Sequence, residues 1–416
     1  METKNAVRES KSYEDLSRSP LLNHLETEKF KIEEKTPKHT SWDFLTGALG
    51  KWIYHYFKSR FGKKADYNTY KGLETGIYKL DTVNQEVSIA IAADWATNTL
   101  ESIHIAREIN KKNPAFTIHL GDTYFVGEPD EIAANFLPIN DSIWPRGDIG
   151  SFAVLGNHEM YARGISFFRD LLPHMGLRKS KTEFGGQGAG FFCLENSHWR
   201  ILGLDTGYHS VGKLPILEMI PWFAPDCHFD DKLISWLKDT VKLGDPNDKR
   251  GLVVLTHHQY ITAFKAESEY LAPAKQLAEL IGKDRPILWL FGHEHKFAMY
   301  EKTQVGKGVM AYCRCIGNGG MPIELKDQFT KSSKKSGYLK LVMADNRQRI
   351  PGLGYNGYTV LKLNEDKLTI DYCDVDSVLV SEEWVQQNGK LFGTVSEPKV
   401  AGISAQEGKT WSDAVK

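Results

Sequence analysis

Long apolar runs are missing from this sequence. No stretch reaches the roughly eighteen uninterrupted apolar residues of a membrane-spanning helix. The opening "METKNAVRESKSYEDLSRSP" also lacks the apolar centre of a secretory signal. Cysteine is scarce: five in 416 residues, an odd number, make no disulfide framework and fit a reducing compartment, so the expected location is cytoplasmic. The close pair Cys313 and Cys315 suits alternating small residues on a strand better than a metal site. An excess of either charge is absent too. A formal net charge of −1 gives no global pull toward nucleic acid or acidic lipid, and no nucleic-acid-binding surface is evident. What remains, 41% hydrophobic and 25% charged residues, is the composition of a globular chain able to bury a large core.

Composition divides the chain. Residues 1–40 are charged and poor in aromatics, as in a flexible leader. Residues 41–84 form a helical extension, in which Trp42, Leu45, Leu49, Trp52 and Tyr56 recur at helical spacing and lysines and arginines gather toward residue 64. Such a stripe is expected to pack on its own protein; contact with a membrane through residues 41–64 is the secondary reading. Residues 85–378 hold the main domain. Its closing hairpin turns at Asn364, Glu365 and Asp366, and residues 379–416 read as a polar, loose tail.

Within the main domain one pattern repeats. "VSIAIAADWA", "FTIHLGDTY", "SFAVLGNHEM", "GLVVLTHHQY" and "PILWLFGHEH" each run apolar and then end in a polar cluster, and helical stretches lie between them. That order predicts an α/β fold with crossover helices and polar groups gathered beyond the carboxyl ends of the strands. The ends carry Asp94, Asp122, Asn157 with His158, His257 with His258, and His293 with His295. Each alone has an ordinary explanation as a helix cap, a turn residue or a hydrogen-bonded imidazole. Jointly they do not, because strand ends that converge in space all finish in oxygen and nitrogen donors. Carboxylate, amide and imidazole suit two hard or borderline divalent cations about 3.5–4 Å apart.

The ordered motifs "ADWATN", "GDTYF", "GNHE", "VLTHH" and "GHEH" resemble those of the calcineurin-like metallophosphoesterase superfamily, most closely its purple acid phosphatase-like branch. The resemblance spans roughly residues 85–378. It implies a sandwich of two mixed β-sheets flanked by α-helices, with two metal ions (iron, manganese or zinc) at one edge. It implies that Asp122 bridges the ions, that Asp94 and His295 bind the first, and that Asn157, His257 and His293 bind the second. His158 would assist the leaving group of a phosphate ester, attacked by a water the two ions share. His258 touches substrate or supports a ligand by a hydrogen bond, and both readings stay open. Glu159, Glu294 and Asp205 are expected to be structural.

The sequence also departs from that pattern. Asp94 is followed by Trp95 and Ala96, so the usual histidine two residues on is missing. The purple branch instead places a tyrosine three residues after the bridging aspartate, and Phe125 stands there, with Tyr124 one residue early and expected to face away. The first ion would then have fewer protein ligands than usual, with water, substrate or a tyrosine reaching in from a distorted loop to complete it, and an iron-loaded site would be colourless or only faintly coloured. The leading expectation is a phosphomonoesterase. The alternatives are a phosphodiesterase acting on nucleotides or lipid headgroups, and a metal-binding interaction module that has lost turnover.

Overall fold

The computed structural model describes residues 53–55, 57–58, 62–82, 85–137, 144–181, 183–212, 225–264, 268–325 and 338–416. In chain order these form β1 (Ile77–Lys79), β2 (Val87–Ala92), α1 (Leu100–Lys112), β3 (Phe116–His119), α2 (Pro129–Asn135), β4 (Gly150–Ala153), α3 (Asn157–Tyr161), β5 (Gly176–Leu177), β6 (Phe192–Glu195), β7 (Trp199–Gly203), α4 (Asp231–Ser235), β8 (Gly251–Thr256), α5 (Leu271–Ile281), β9 (Ile287–Phe291), β10 (Phe297–Thr303), β11 (Ala311–Ile316), β12 (Leu341–Ala344), β13 (Gly357–Asn364), β14 (Lys367–Asp374), β15 (Val378–Gln387) and β16 (Lys390–Val395). Two eight-stranded sheets result, ordered β1-β6-β7-β8-β9-β11-β10-β12 and β16-β15-β14-β13-β2-β3-β4-β5. Both are mixed. β7, β8, β9 and β11 run parallel in the first, and β2, β3 and β4 run parallel in the second.

Alternation along the strands explains the layering. Ile89 and Ile91 of β2, with Phe116 and Ile118 of β3, face Val253 and Leu255 of β8 and Leu288 and Leu290 of β9 in one core between the sheets. The opposite face of β2 carries small residues, Ser88, Ala90 and Ala92, and the two alanines enter a second core that also holds Ile105, Ala106 and Ile109 of α1. Small side chains there let the crossover helix lie close to the sheet. A cap fixes where that helix begins: the Thr99 side chain accepts from the Ser102 backbone N–H. Both faces of the parallel strands are thus covered, which is why they read as continuous apolar runs.

The hairpin forms with Glu365 and Asp366 as its two-residue turn, Glu365 at a φ of 51°. The tail expected over residues 379–416 is not loose: Val378–Gln387 and Lys390–Val395 pair as antiparallel strands at the edge of the second sheet. Its polar composition is misleading because its most polar buried side chain is neutralised inside. Glu382 of β15 and Arg314 of β11 form a fully buried ion pair at 2.6 Å. Tyr372 donates to the same carboxylate, and the guanidinium also donates to the Ala414 carbonyl. Every charge in this cluster has a partner, the condition under which a buried pair is tolerated. It ties both sheets to the last residues of the chain. The leader and the stripe positions Trp42, Leu45, Leu49, Trp52 and Tyr56 lie outside the described residues; residues 53–55 and 57–58 are helical.

Candidate metal centre

Five parallel strands deliver the predicted side chains to one edge of the sandwich. Asp94 follows β2, Asp122 follows β3, Asn157 and His158 open α3 after β4, His257 and His258 follow β8, and His293 and His295 follow β9. Three of these residues turn the chain in the left-handed region, Asp94 at φ 56°, Asp122 at 73° and His293 at 66°. Non-glycine residues seldom adopt it, and such conformations concentrate at functional sites. Two glycines make the close packing possible. A Cβ on Gly156 would lie 2.1 Å from Asp122 Oδ1, and one on Gly292 would lie 2.8 Å from Asp94 Oδ2.

The donors converge in two overlapping groups. Asp94, Asp122 and His257 offer ligand atoms within 4.8 Å of one another, and so do His257, His258 and His293. His257 Nε2 lies 3.2 Å from Asp122 Oδ2 and 3.0 Å from Asn157 Oδ1, while its Nδ1 sits 2.8 Å from the Leu120 carbonyl. The carbonyl takes the Nδ1 proton and leaves Nε2 aimed into the centre. His295 Nε2 is 3.6 Å from Asp94 Oδ1. His293 donates its backbone N–H to Asp94 Oδ2 at 2.8 Å, and its ring lies 4.7 Å from that of His258.

His158 sits beside this cluster. Its backbone N–H donates to Asp122 Oδ1 at 2.9 Å, its Nδ1 meets the Phe125 carbonyl at 2.5 Å, and its Nε2 lies 3.8 Å from Asp122 Oδ2. The ring is thereby fixed with Nε2 toward the site. His258 is anchored differently: its Nδ1 is 3.0 Å from Thr206 Oγ1, which also accepts the His258 backbone N–H.

One expectation is overturned. Tyr124 faces the centre: its hydroxyl lies 3.0 Å from Asp94 Oδ1, 3.3 Å from Asp122 Oδ2 and 3.0 Å from His295 Nε2. Strict alternation fails here because β3 ends at His119, and Gly121 and Asp122 both take positive φ before Tyr124 is reached. The motif "GDTYF" contained the signal, but only the turn decides which aromatic points inward. Thr206 and the reach of Glu159 also escape sequence reasoning. The Glu159 carboxylate accepts the backbone N–H groups of Asp122, Thr123 and Gly156, so it shapes the loop that presents Asp122. Asp205 behaves as expected, closing a turn by accepting from Gly207 and Tyr208.

The electrostatics are those of a site built for positive charge. Burial works against an ionised Asp122, yet His257 and His158 outweigh it and hold the carboxyl well below the usual carboxylate range. Burial likewise disfavours a charged His257, but Asp122 and Asp94 push it up to about 10. Burial, with His293 and His257 nearby, keeps His258 neutral. Burial and the charge of Asp122 raise Glu159 to about 7. Burial and the carboxylates of Asp94 and Asp122 drive the Tyr124 hydroxyl up. Two buried carboxylates, with imidazole and amide donors and no thiolate among them, fit hard or borderline divalent cations. Asp94, Asp122, Asn157, His257, His293, His295 and Tyr124 are the groups on hand to hold them.

The family described as calcineurin-like phosphoesterase matches residues 87–297, just over half of the chain. No curated protein sequence matches it. Among solved structures, PhoD aligns at 12% identity and a TM-score of 0.48, covering 76% of this chain and 73% of its own. GAP50 of Plasmodium, the anchor in the inner membrane complex, aligns at 14% and 0.46, covering 73% and 89%. The purple acid phosphatase PPD1 of yellow lupin aligns at 12% and 0.43, covering 74% of this chain and 53% of its own.

The ion pair between His257 and Asp122 sets a pH dependence for metal binding. With His257 at about 10 in the metal-free protein, its Nε2 proton must leave before it can coordinate. Affinity should therefore rise about tenfold per pH unit between pH 7 and pH 9. Calorimetric titration of the stripped protein with Mn²⁺ in buffers of different ionisation enthalpy should show at least one proton released per binding event at pH 7. Affinity independent of pH, with no proton released, would contradict the ion pair.

Proposed function

The chain belongs to the calcineurin-like phosphoesterase family, whose members hydrolyse phosphoesters with metal ions, and from that premise we propose that it is a phosphomonoesterase working with a pair of cations. The observation that carries this reading is the convergence of strand-end carboxylates, amide and imidazoles from both sheets on one buried edge. Asp122 would be shared by the two ions; Asp94, His295 and Tyr124 would hold the first, and Asn157, His257 and His293 the second. Two such ions, when bound, neutralise phosphoryl oxygens and acidify a water for attack on phosphorus.

The remaining chemistry belongs to side chains. His158, with its Nδ1 committed to the Phe125 carbonyl, presents Nε2 to the leaving oxygen and gives it a proton. His258 is a supporting residue, oriented by Thr206 against His293. Glu159 holds the backbone of the Asp122 loop and takes no part in proton transfer. The preference for monoesters rests on the likeness of the motifs to the purple branch, now joined by a tyrosine at the site.

Replacing His158 by Asn tests its role. Metal content should stay at the wild-type level while kcat falls about 10²-fold or more on an alkyl phosphate. The loss should shrink on an aryl phosphate whose leaving group needs little protonation. Equal losses on both substrates would reassign His158 to positioning. A matched diester screen decides the substrate class, since faster diester cleavage would replace the monoester reading.

Tyr124 carries a separate test. A phenolate oxygen on ferric iron gives the charge-transfer colour attributed to the purple branch, so the iron-loaded wild type should show an intense visible band that Tyr124→Phe removes. The variant should also lose the first ion more readily. A colourless iron-loaded wild type, or a band that survives the substitution, would exclude Tyr124 as a ligand.

A further inference from the structure

The segment before β1 does more than lead into the fold. Residues 53–55 and 57–58 are helical, and this piece docks on the edge of the sandwich that carries the metal centre. His55, buried, meets Glu128 at 2.7 Å in the loop that follows Tyr124. Ala65 donates its backbone N–H to the Arg163 carbonyl, just after the helix that His158 opens. Lys64 donates to the Tyr208 carbonyl at 3.2 Å, and Tyr208 returns a bond to the Ala65 carbonyl at 2.7 Å. These three attachment points follow β3, β4 and β7, so the segment lies against loops at the strand-end edge that carries the donors.

Its outward side is apolar. Ile53 is 40% exposed, Tyr54 58% and Phe57 43%, which makes them three of the eight large apolar side chains exposed among the described residues. Basic groups flank them. Lys58 lies over the Tyr54 ring, 5.0 Å from its centroid, and the Lys63 side chain is 83% exposed, with its ammonium 3.3 Å from the equally open Asp66 carboxylate. In sequence, residues 51–64 contain five lysines and arginines and no aspartate or glutamate, in a chain whose formal net charge is only −1. An apolar, aromatic patch inside a wholly basic segment is the composition of a helix that lies in a membrane interface, where rings enter the headgroup region and lysines meet anionic lipid.

We propose that Ile53, Tyr54 and Phe57, with Lys58 and Lys63, form a docking surface for an anionic lipid bilayer at the edge of the sandwich that carries the metal centre. One side of the helix, through His55, fixes it to the catalytic domain, and the other side engages lipid. The inference stands apart from the substrate reading, because docking requires neither metal nor turnover.

Cosedimentation of the full chain with phosphatidylcholine vesicles, with and without phosphatidylserine, tests it. Binding should appear only with phosphatidylserine and weaken as salt rises. The triple variant Ile53→Ser, Tyr54→Ser, Phe57→Ser should bind at least tenfold more weakly, and Lys58→Glu with Lys63→Glu should abolish the preference for the anionic lipid. Ile149→Ser with Leu177→Ser, exposed apolar positions at the other end of β4, should bind like wild type. Unchanged melting temperatures and hydrolysis of a soluble ester would show that the variants are folded. Absence of vesicle binding by the wild type, or equal binding by the triple variant, would overturn the proposal. So would a dimer in solution that the triple variant dissolves, since the patch would then belong to a second copy of the chain.

Discussion

A buried carboxylate at the end of β3 organises this molecule. Asp122 is 1% exposed, and its charge is held by the His257 imidazole, the His158 backbone N–H and the Tyr124 hydroxyl. Burial of an isolated carboxylate costs several kcal/mol, enough to protonate it or expel it from the interior. Here the neighbours win, and the group stays ionised. What surrounds it follows from that requirement: the left-handed turn that aims it, the glycine at 156 that clears its oxygen, and the Glu159 carboxylate that gathers three backbone N–H groups of the same loops.

The two-sheet architecture serves the same end. Neither sheet alone brings enough donors: β2, β3 and β4 supply Asp94, Asp122 and Asn157, while β8 and β9 of the other sheet supply the histidines. The core between the sheets fixes their separation, so the spacing of the donors is set by packing and not by the loops alone. The Arg314–Glu382 pair reinforces that separation, drawing β11, β15 and the end of the chain together.

Much of this was legible in the residues. Parallel strands buried on both faces write themselves as apolar runs, and the polar cluster after each run marked Asp94, Asp122, Asn157, His257 and His293 without any coordinates. The rest failed for identifiable reasons. Tyr124 reads as facing away only if strand alternation is carried two residues past the turn at Gly121 and Asp122. The last two strands read as a tail because the composition turns polar after Ser381, and the partner that lets Glu382 be buried, Arg314, lies far away in sequence. The support that Thr206 gives His258 depends on β7 lying beside β8, a sheet order that sequence spacing does not encode.

We propose that one edge of the sandwich holds two cations through a shared Asp122. The most direct test is a metal count on the stripped protein titrated with Mn²⁺, with hydrolysis followed at each addition. Two equivalents should bind to the wild type, turnover should appear as the second site fills, and Asp122→Ala should weaken both sites and lose turnover together. A single equivalent that supports full turnover, or an Asp122→Ala variant that retains two ions and its activity, would contradict it.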